Sequence, residues 1–146
     1  MSTQTSSMPD PDSSSVTLER ICDGQALIAT VANNSRTTID RFVEVIKTEQ
    51  QDWPADRVGY LVADLSRTLG GFNTPYGRAK MGELMESRPD SPYYVAVVSR
   101  NNMLLAMGRV FLNSLPQKTI HTRICFTRQE ATAWIEENIA KNKQAA

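Results

Sequence analysis

The chain has 146 residues, of which 40% are apolar and 22% charged, and its 16 basic residues balance 16 acidic ones. This length fits one domain, and a chain of formal charge zero lacks the basic excess typical of nucleic-acid-binding proteins. Two cysteines and one histidine are too few for a disulfide framework or a zinc centre. We therefore expect a single globular domain with no metal, no cofactor and no nucleic-acid partner.

The two ends of the chain differ in composition from its middle. Residues 1–15 are rich in Ser, Pro and Asp and contain no Lys or Arg, so they have little apolar surface to bury and no positively charged signal region. We expect a disordered tail over 1–15, one domain over 16–142 and a frayed end over 143–146. No apolar run approaches the roughly 20 residues of a membrane span, and we expect a cytoplasmic protein with free thiols.

The first predicted elements form a β-hairpin. Residues 16–22 and 25–32 are predicted strands, and the Asp23-Gly24 pair between them is typical of two-residue turns in which both positions have positive φ. The second strand is apolar on both faces, as expected for a strand in the interior of a sheet.

Helices and strands then alternate along the chain. Thr38 is a candidate N-cap for a helix whose apolar residues recur at helical spacing, and Pro54 marks the end of that helix. Thr74 caps a helix that begins with Pro75 at its first position. The later predicted elements are a strand over 58–65, a helix over 75–87, a strand over 93–98, a helix over 103–115 and a strand over 118–126.

The last helix has a clear start signal. Thr127 and Glu130 have the spacing of a capping box, in which each side chain binds a backbone N–H near the other residue. Trp134 shares a stripe with Ala131 and Ile135, and we expect all three under the sheet. The complete order, ββαβαβαβα, predicts an α/β fold with a mostly parallel five-stranded sheet, an antiparallel N-terminal edge strand and four helices.

This order, the sequence DLS (64–66) at the end of a strand and the sequence FTRQEATAWI (126–135) together resemble the SpoIIAA-like group, small proteins often described as STAS/SEC14-like domains. Members of the group commonly end with a similar F-x-x-x-E-A-x-x-W-L stretch. The resemblance covers 16–142 and implies a non-enzymatic regulatory module that binds a protein partner. The phosphorylatable members carry Asp-Ser-x-Gly where their second helix starts, whereas the matching stretch here, 73–77, lacks that serine.

Polar residues follow the predicted parallel strands, at the sheet edge where ligands bind in open α/β folds. Helix N-termini at this edge attract anions, which favours a small anionic ligand, but Asn, Ser and Thr are also the ordinary capping residues. Both interpretations stay open. Asp64 stands out because a carboxylate that ends a buried strand must be paired. The candidate rim residues are Asn33, Ser35, Asp64, Ser66, Arg67, Thr74, Ser99, Arg100 and Asn101.

The sequence contains no recognisable catalytic machinery. His121 and Cys125 are four residues apart in a predicted strand and hence about 13 Å apart, which is too far for a histidine to activate a thiol. The chain has no G-x-S-x-G motif and no phosphate-binding glycine loop. We predict that the protein is not an enzyme and has no catalytic residue.

The predicted helix over 103–115 is the least ordinary element, because Arg109 is its only charged residue. Its apolar residues cover more of the circumference than one packed stripe requires. Deep packing, contact with a second chain and contact with lipid remain alternatives. The surface predicted to make such a contact consists of Leu104, Met107, Arg109 and Phe111. Protein binding or self-association is therefore the leading functional hypothesis, and a small lipid- or membrane-surface-binding domain is the alternative.

Overall fold

The computed structural model describes residues 15–68, 72, 74–87, 91–100 and 120–145. The predicted helix over 103–115 lies outside these residues. The elements in chain order are β1 (Val16–Ile21), β2 (Ala26–Val31), α1 (Arg36–Gln50), β3 (Gly59–Asp64), α2 (Pro75–Glu86), β4 (Tyr93–Val98), β5 (Ile120–Cys125) and α3 (Arg128–Ala145).

The five strands form one sheet in the order β1-β2-β3-β4-β5. β1 pairs with β2 in antiparallel orientation, and the other three pairs of neighbours are parallel. The predicted α/β class and the mostly parallel sheet with one antiparallel edge strand are thereby confirmed. The described part of the chain contains three helices.

The turn between β1 and β2 differs from the predicted one. The last residue of β1, Ile21, pairs with Ala26, so the connecting loop has four residues instead of two. Cys22 and Asp23 have φ angles of 55° and 57°, and the N–H of Gly24 donates to the carbonyl of Ile21 at 3.1 Å. Positive φ at both central positions is the signature of a type I′ turn, which here begins one residue earlier than predicted.

The sheet separates two hydrophobic cores. α1 and α2 cover one face, where Phe42 and Leu61 belong to the first core. α3 covers β3, β4 and β5 on the opposite face, where Val62 and Ile135 belong to the second core. Because successive residues of a strand point to opposite faces, β2 and β3 contribute to both cores, which explains their almost uninterrupted apolar sequence.

The start of α1 corrects the predicted cap. Ser35 is the N-cap, and its Oγ accepts a hydrogen bond from the N–H of Thr38 at 3.2 Å. Thr38 is buried inside the helix instead of capping it. The helix begins earlier because Ser35 provides a hydroxyl three residues before a free N–H group, which is the spacing that capping requires.

The caps of α2 and α3 were predicted correctly in their main features. Oγ1 of Thr74 accepts from the N–H of Gly77 at 3.0 Å, directly before the proline at the first helical position. Oγ1 of Thr127 accepts from the N–H of Glu130 at 3.1 Å. The return bond of this box differs, because Glu130 accepts from the N–H of Phe126 at 3.3 Å, one residue before the cap.

The described structure extends beyond the predicted domain limits, 16–142, at both of its ends. Ser15, the last residue of the predicted tail, is buried, and its carbonyl accepts from the N–H of Ala32 at 2.8 Å. α3 continues through Ala145 and so includes most of the stretch 143–146 for which fraying is predicted. The Lys, Gln and Ala residues there are strong helix formers.

Candidate functional site at the strand ends

A charged brace connects β2, β3 and α3 at the carboxyl ends of the two strands. Asp64 ends β3 and is 7% exposed. Arg128, the first residue of α3, donates from Nη2 and Nε to Oδ2 of Asp64 at 2.9 and 3.2 Å, and its Nη2 also donates to Oγ1 of Thr30 at 2.6 Å. Thr30 and Asp64 are register partners, so their side chains emerge next to each other on the face that α3 covers.

Ser66 completes this Asp64 brace (Thr30, Asp64, Ser66 and Arg128). Its N–H and its hydroxyl donate to Oδ1 of Asp64 at 3.0 and 2.6 Å. Burial raises the pKa of the Asp64 carboxyl, but the hydrogen bonds from Ser66 and the bond and charge of Arg128 outweigh this effect, and the pKa lies below its ordinary value. The carboxylate is thus held ionised, which makes it a poor general acid and a weak base at neutral pH.

The structure divides the predicted rim into separate local clusters. Asp64 and Ser66 belong to the brace, whereas Asn33 and Ser35 belong to the start of α1. Oδ1 of Asn33 accepts from the N–H of Ser35 at 3.0 Å and from the hydroxyl of Thr38 at 2.6 Å. These side chains are therefore used for helix capping, which favours the capping interpretation over a shared ligand site.

The remaining rim residues make no common cluster in the described part of the chain. Arg67 and Arg100 are exposed, and Ser99 uses its backbone N–H to bind the carbonyl of Cys125 at 3.0 Å. Asn101 lies outside the described residues, and so does the predicted contact surface formed by Leu104, Met107, Arg109 and Phe111.

Two members of the brace, Thr30 and Arg128, are absent from the predicted rim residues, although Arg128 lies in a loop predicted at the same edge of the sheet. Thr30 is a polar residue in an otherwise apolar strand, and Arg128 directly follows the capping Thr127. Thr30 is a visible signal, because a polar side chain inside a buried strand requires a partner. What the sequence does not show is the register that aligns Thr30 with Asp64.

His121 and Cys125 are on the same face of β5 but have different surroundings. The imidazole of His121 stacks on the ring of Tyr94 with 4.5 Å between centroids. Cys125 is 1% exposed, and burial raises the pKa of its thiol, which disfavours the reactive thiolate. Within the described ranges, no group of three or more His, Cys, Asp or Glu residues could hold a metal ion.

An open groove of about 720 Å³ lies between α1 and α2. Ion pairs cross it from helix to helix: Lys47 lies 3.8 Å from Glu83, and Lys80 lies 3.8 Å from Asp40. Such exposed pairs contribute little to stability, so their charges are available to a binding partner at low cost. Residues that line this α1–α2 groove include Asp40, Glu44, Lys47, Trp53, Lys80 and Glu83.

Two arginine–aromatic stacks adjoin the α1–α2 groove, one through Trp53, which lines it, and one through Tyr76, which bonds to the lining residue Asp40. The guanidinium carbon of Arg57 is 4.1 Å from the ring centroid of Trp53, and that of Arg36 is 4.7 Å from the ring of Tyr76. The hydroxyl of Tyr76 donates to Asp40 of the groove lining, and this bond raises the pKa of the phenol. Tyr76 thus remains a neutral hydrogen-bonding aromatic residue at physiological pH.

No family model matches the chain, and no curated protein sequence matches it. The fold class is that of an α/β protein with a five-stranded, mostly parallel sheet. None of the described helices is long and apolar enough to cross a membrane.

Proposed function

We propose that this chain is a STAS-like regulatory module that acts by binding a protein partner, and that the partner docks on the α1–α2 groove. The observation that carries the proposal is that both arginine–aromatic stacks adjoin this groove: Trp53, stacked with Arg57, lines it. Tyr76, stacked with Arg36, bonds to its lining residue Asp40. Trp, Tyr and Arg are the residue types that dominate the binding energy of protein interfaces.

The state of Asp64 supports binding over catalysis. Its two carboxylate oxygens accept bonds from Ser66 and Arg128, and its pKa is lowered. A catalytic acid or base for neutral pH requires a pKa near the working pH. The interactions of Asp64 instead suit a structural role, in which the brace holds the start of α3 against the ends of β2 and β3.

The proposal of a STAS-like module is supported by the order of the described elements. An N-terminal hairpin leads into a parallel sheet with sequential strand order, and a capped helix follows the last strand. The FTRQEATAWI sequence (126–135), on which the resemblance partly depends, spans the capping box and the first turns of α3. This sequence is therefore a fold-forming element, and its resemblance to the family concerns architecture.

Site-directed photo-crosslinking in cells tests the proposed groove. A photo-reactive amino acid replaces Glu44, which lines the groove, or Lys141, which is exposed on α3. We expect one protein to be captured from position 44 and not from position 141. The purified partner is then titrated against the wild type, Arg36→Ala and Phe126→Ala. Phe126 is 49% exposed, lies in the loop between β5 and α3, and does not line the groove.

The expected result is a loss of affinity of about tenfold or more for Arg36→Ala, the usual effect of truncating an important interface residue. Phe126→Ala is the matched control and is expected to bind like the wild type. Equal capture from both positions, or equal affinity of Arg36→Ala and the wild type, would contradict docking on the groove.

Lipid binding through residues 103–115 remains a prediction, because these residues lie outside the part of the chain that the structure describes. The cytoplasmic location and self-association are likewise proposals. Cosedimentation with anionic vesicles distinguishes the lipid alternative, since a partner-binding module that uses the α1–α2 groove is expected to stay in the supernatant.

A further inference from the structure

A buried glutamine lines one end of the α1–α2 groove. Gln50, the last residue of α1, is only 6% exposed and still belongs to the groove lining. Its Nε2 donates to Oγ of Ser87, the C-cap of α2, at 3.1 Å, and its Oε1 accepts from the hydroxyl of Tyr93 at 3.3 Å. The hydroxyl of Ser87 itself donates to the carbonyl of Leu84. Bonds to two other elements therefore hold the Gln50 amide in one orientation.

These bonds use only part of the hydrogen-bonding capacity of the Gln50 side chain. A carboxamide has two N–H donors and an oxygen with two lone pairs. Among the described residues, one donor and one lone pair of Gln50 are in use. Leaving a buried polar group unbonded costs free energy. A ligand in the groove that offers Gln50 an acceptor and a donor is therefore favoured.

The surroundings of this amide are aromatic and carry balanced charge. Trp53 lines the groove beside Gln50, because its backbone N–H donates to the Gln50 backbone carbonyl at 3.1 Å. Lys47 and Glu83, which lie 3.8 Å apart across the groove, precede Gln50 and Ser87 by about one helical turn. Since these two charges offset each other, an uncharged planar group suits this end of the groove better than an ion, whose desolvation would be uncompensated.

We propose that the Gln50 end of the α1–α2 groove is a subsite for an uncharged carboxamide of the docked partner. The carboxamide exchanges hydrogen bonds with the side chain of Gln50 and packs against the ring of Trp53. Its source is either the side chain of an Asn or Gln residue or a main-chain peptide group. This proposal rests on the proposed function, and it names the chemistry that the partner presents at this end of the groove.

NMR titrations of the isotope-labelled full chain test the subsite with three planar analogues, benzamide, benzoate and benzamidinium. We expect benzamide to shift the side-chain amide of Gln50 and the indole N–H of Trp53 in a saturable manner. The indole N–H of Trp134, which lies on α3 at the second core, should not move. Benzamide should bind at least about fivefold more tightly than either charged analogue, because the site does not compensate a buried charge.

Gln50→Met removes the donor and the acceptor at nearly constant side-chain length. The dissociation constant of benzamide, followed at the indole of Trp53, should rise about tenfold in this variant. Gln129→Met is the matched control, since Gln129 is exposed on α3, and it should bind benzamide like the wild type. If Gln50→Met does not fold, the comparison of the three analogues on the wild type still decides the question.

Two blocked amino acids distinguish the source of the carboxamide. If N-acetylglutamine methylamide shifts Gln50 and N-acetylalanine methylamide does not, the subsite binds an Asn or Gln side chain. If both shift it alike, the subsite binds a main-chain peptide group. Each result supports the proposal and identifies one of its two sources.

Three results would overturn the subsite. They are a benzoate or benzamidinium affinity equal to that of benzamide, an unmoved Gln50 amide with all probes, and equal benzamide affinity of folded Gln50→Met and the wild type. Partner docking is tested separately by Arg36→Ala. If that variant loses the captured partner while benzamide leaves Gln50 unmoved, the subsite is wrong and groove docking stands. If benzamide binds at Gln50 while Arg36→Ala keeps full partner affinity, groove docking is wrong, and the subsite no longer has a docked partner to recognise.

Discussion

Two glycines of α2 should respond in opposite directions to the same substitution. A Cβ added at Gly77 would lie 2.2 Å from the backbone oxygen of Phe72, whereas a Cβ at Gly82 would meet nothing within 4 Å. Alanine is about 1 kcal/mol better than glycine in a helix interior. Gly82→Ala should therefore stabilise the protein by about 0.5–1 kcal/mol, since it adds no clash.

At Gly77 the steric cost exceeds that gain. The obstructing atom belongs to the backbone, and the carbonyl of Phe72 also accepts from the N–H of Thr74 at 2.9 Å. Movement of this segment disturbs the cap bond from Gly77 to Thr74. Overpacking costs about 1–3 kcal/mol and a lost cap about 1 kcal/mol, so after the helix gain we expect Gly77→Ala to destabilise the fold by about 2 kcal/mol.

Urea unfolding and thermal melting of the two variants measure both effects. At about 3 °C per kcal/mol for a domain of this size, the melting temperature should fall by about 6 °C for Gly77→Ala and rise by about 2–3 °C for Gly82→Ala. Equal shifts of the same sign in both variants would refute the reasoning, because helix propensity alone predicts stabilisation at each position.

Three further predictions concern the sheet and its helices. The lowered pKa of Asp64 means that the folded state binds fewer protons than the unfolded state. The ionised carboxylate therefore contributes its full stabilisation above its unfolded-state pKa of about 3.9 and loses it as the pH falls through its folded-state pKa. Urea unfolding measured from pH 6 down to about pH 2 should therefore show that the free energy of unfolding falls less steeply with pH in Asp64→Asn than in the wild type. Equal slopes in the two proteins would contradict a stabilising role for the Asp64 brace. Gly59→Ala should destabilise by about 1–2 kcal/mol, because its Cβ would lie 2.5 Å from the ring of Tyr93; an unchanged urea midpoint would show that this ring moves freely. Trp134 is half-buried at the margin of the second core, so Trp134→Ala should cost about 2 kcal/mol, below the 3–5 kcal/mol of a fully buried aromatic. Its fluorescence in a Trp53→Phe background should have an intermediate emission maximum, and a fully water-like maximum would place it outside the core.

The position of Trp134 shows the limit of a helical pattern. Spacing correctly placed Ala131 and Ile135 in the core, and both are completely buried. Trp134 lies one position from Ile135 and so points about 100° away from it, toward Tyr94 at 6.1 Å between ring centroids. An apolar stripe predicts which side of a helix is buried. How far the burial extends around the helix depends on the neighbouring strands that cover it.

The sequence by itself determined the features that depend on near neighbours in the chain. The hairpin follows from two extended runs around a turn with positive φ, and the cap of α2 follows from Thr74 placed three residues before a free N–H group. Periods of two and of 3.6 residues distinguish strand from helix. These signals were sufficient for the α/β class and for the order of the described elements.

Only the tertiary structure decided which distant side chains meet. Arg128 and Asp64 are 64 positions apart, and they make contact because the register aligns β2 with β3 while α3 starts at the same edge. The α1–α2 groove likewise arises from two helices on the same face of the sheet. The register between β2 and β3 and the placement of α3 join segments that are far apart in the chain, so no pattern within one segment encodes them.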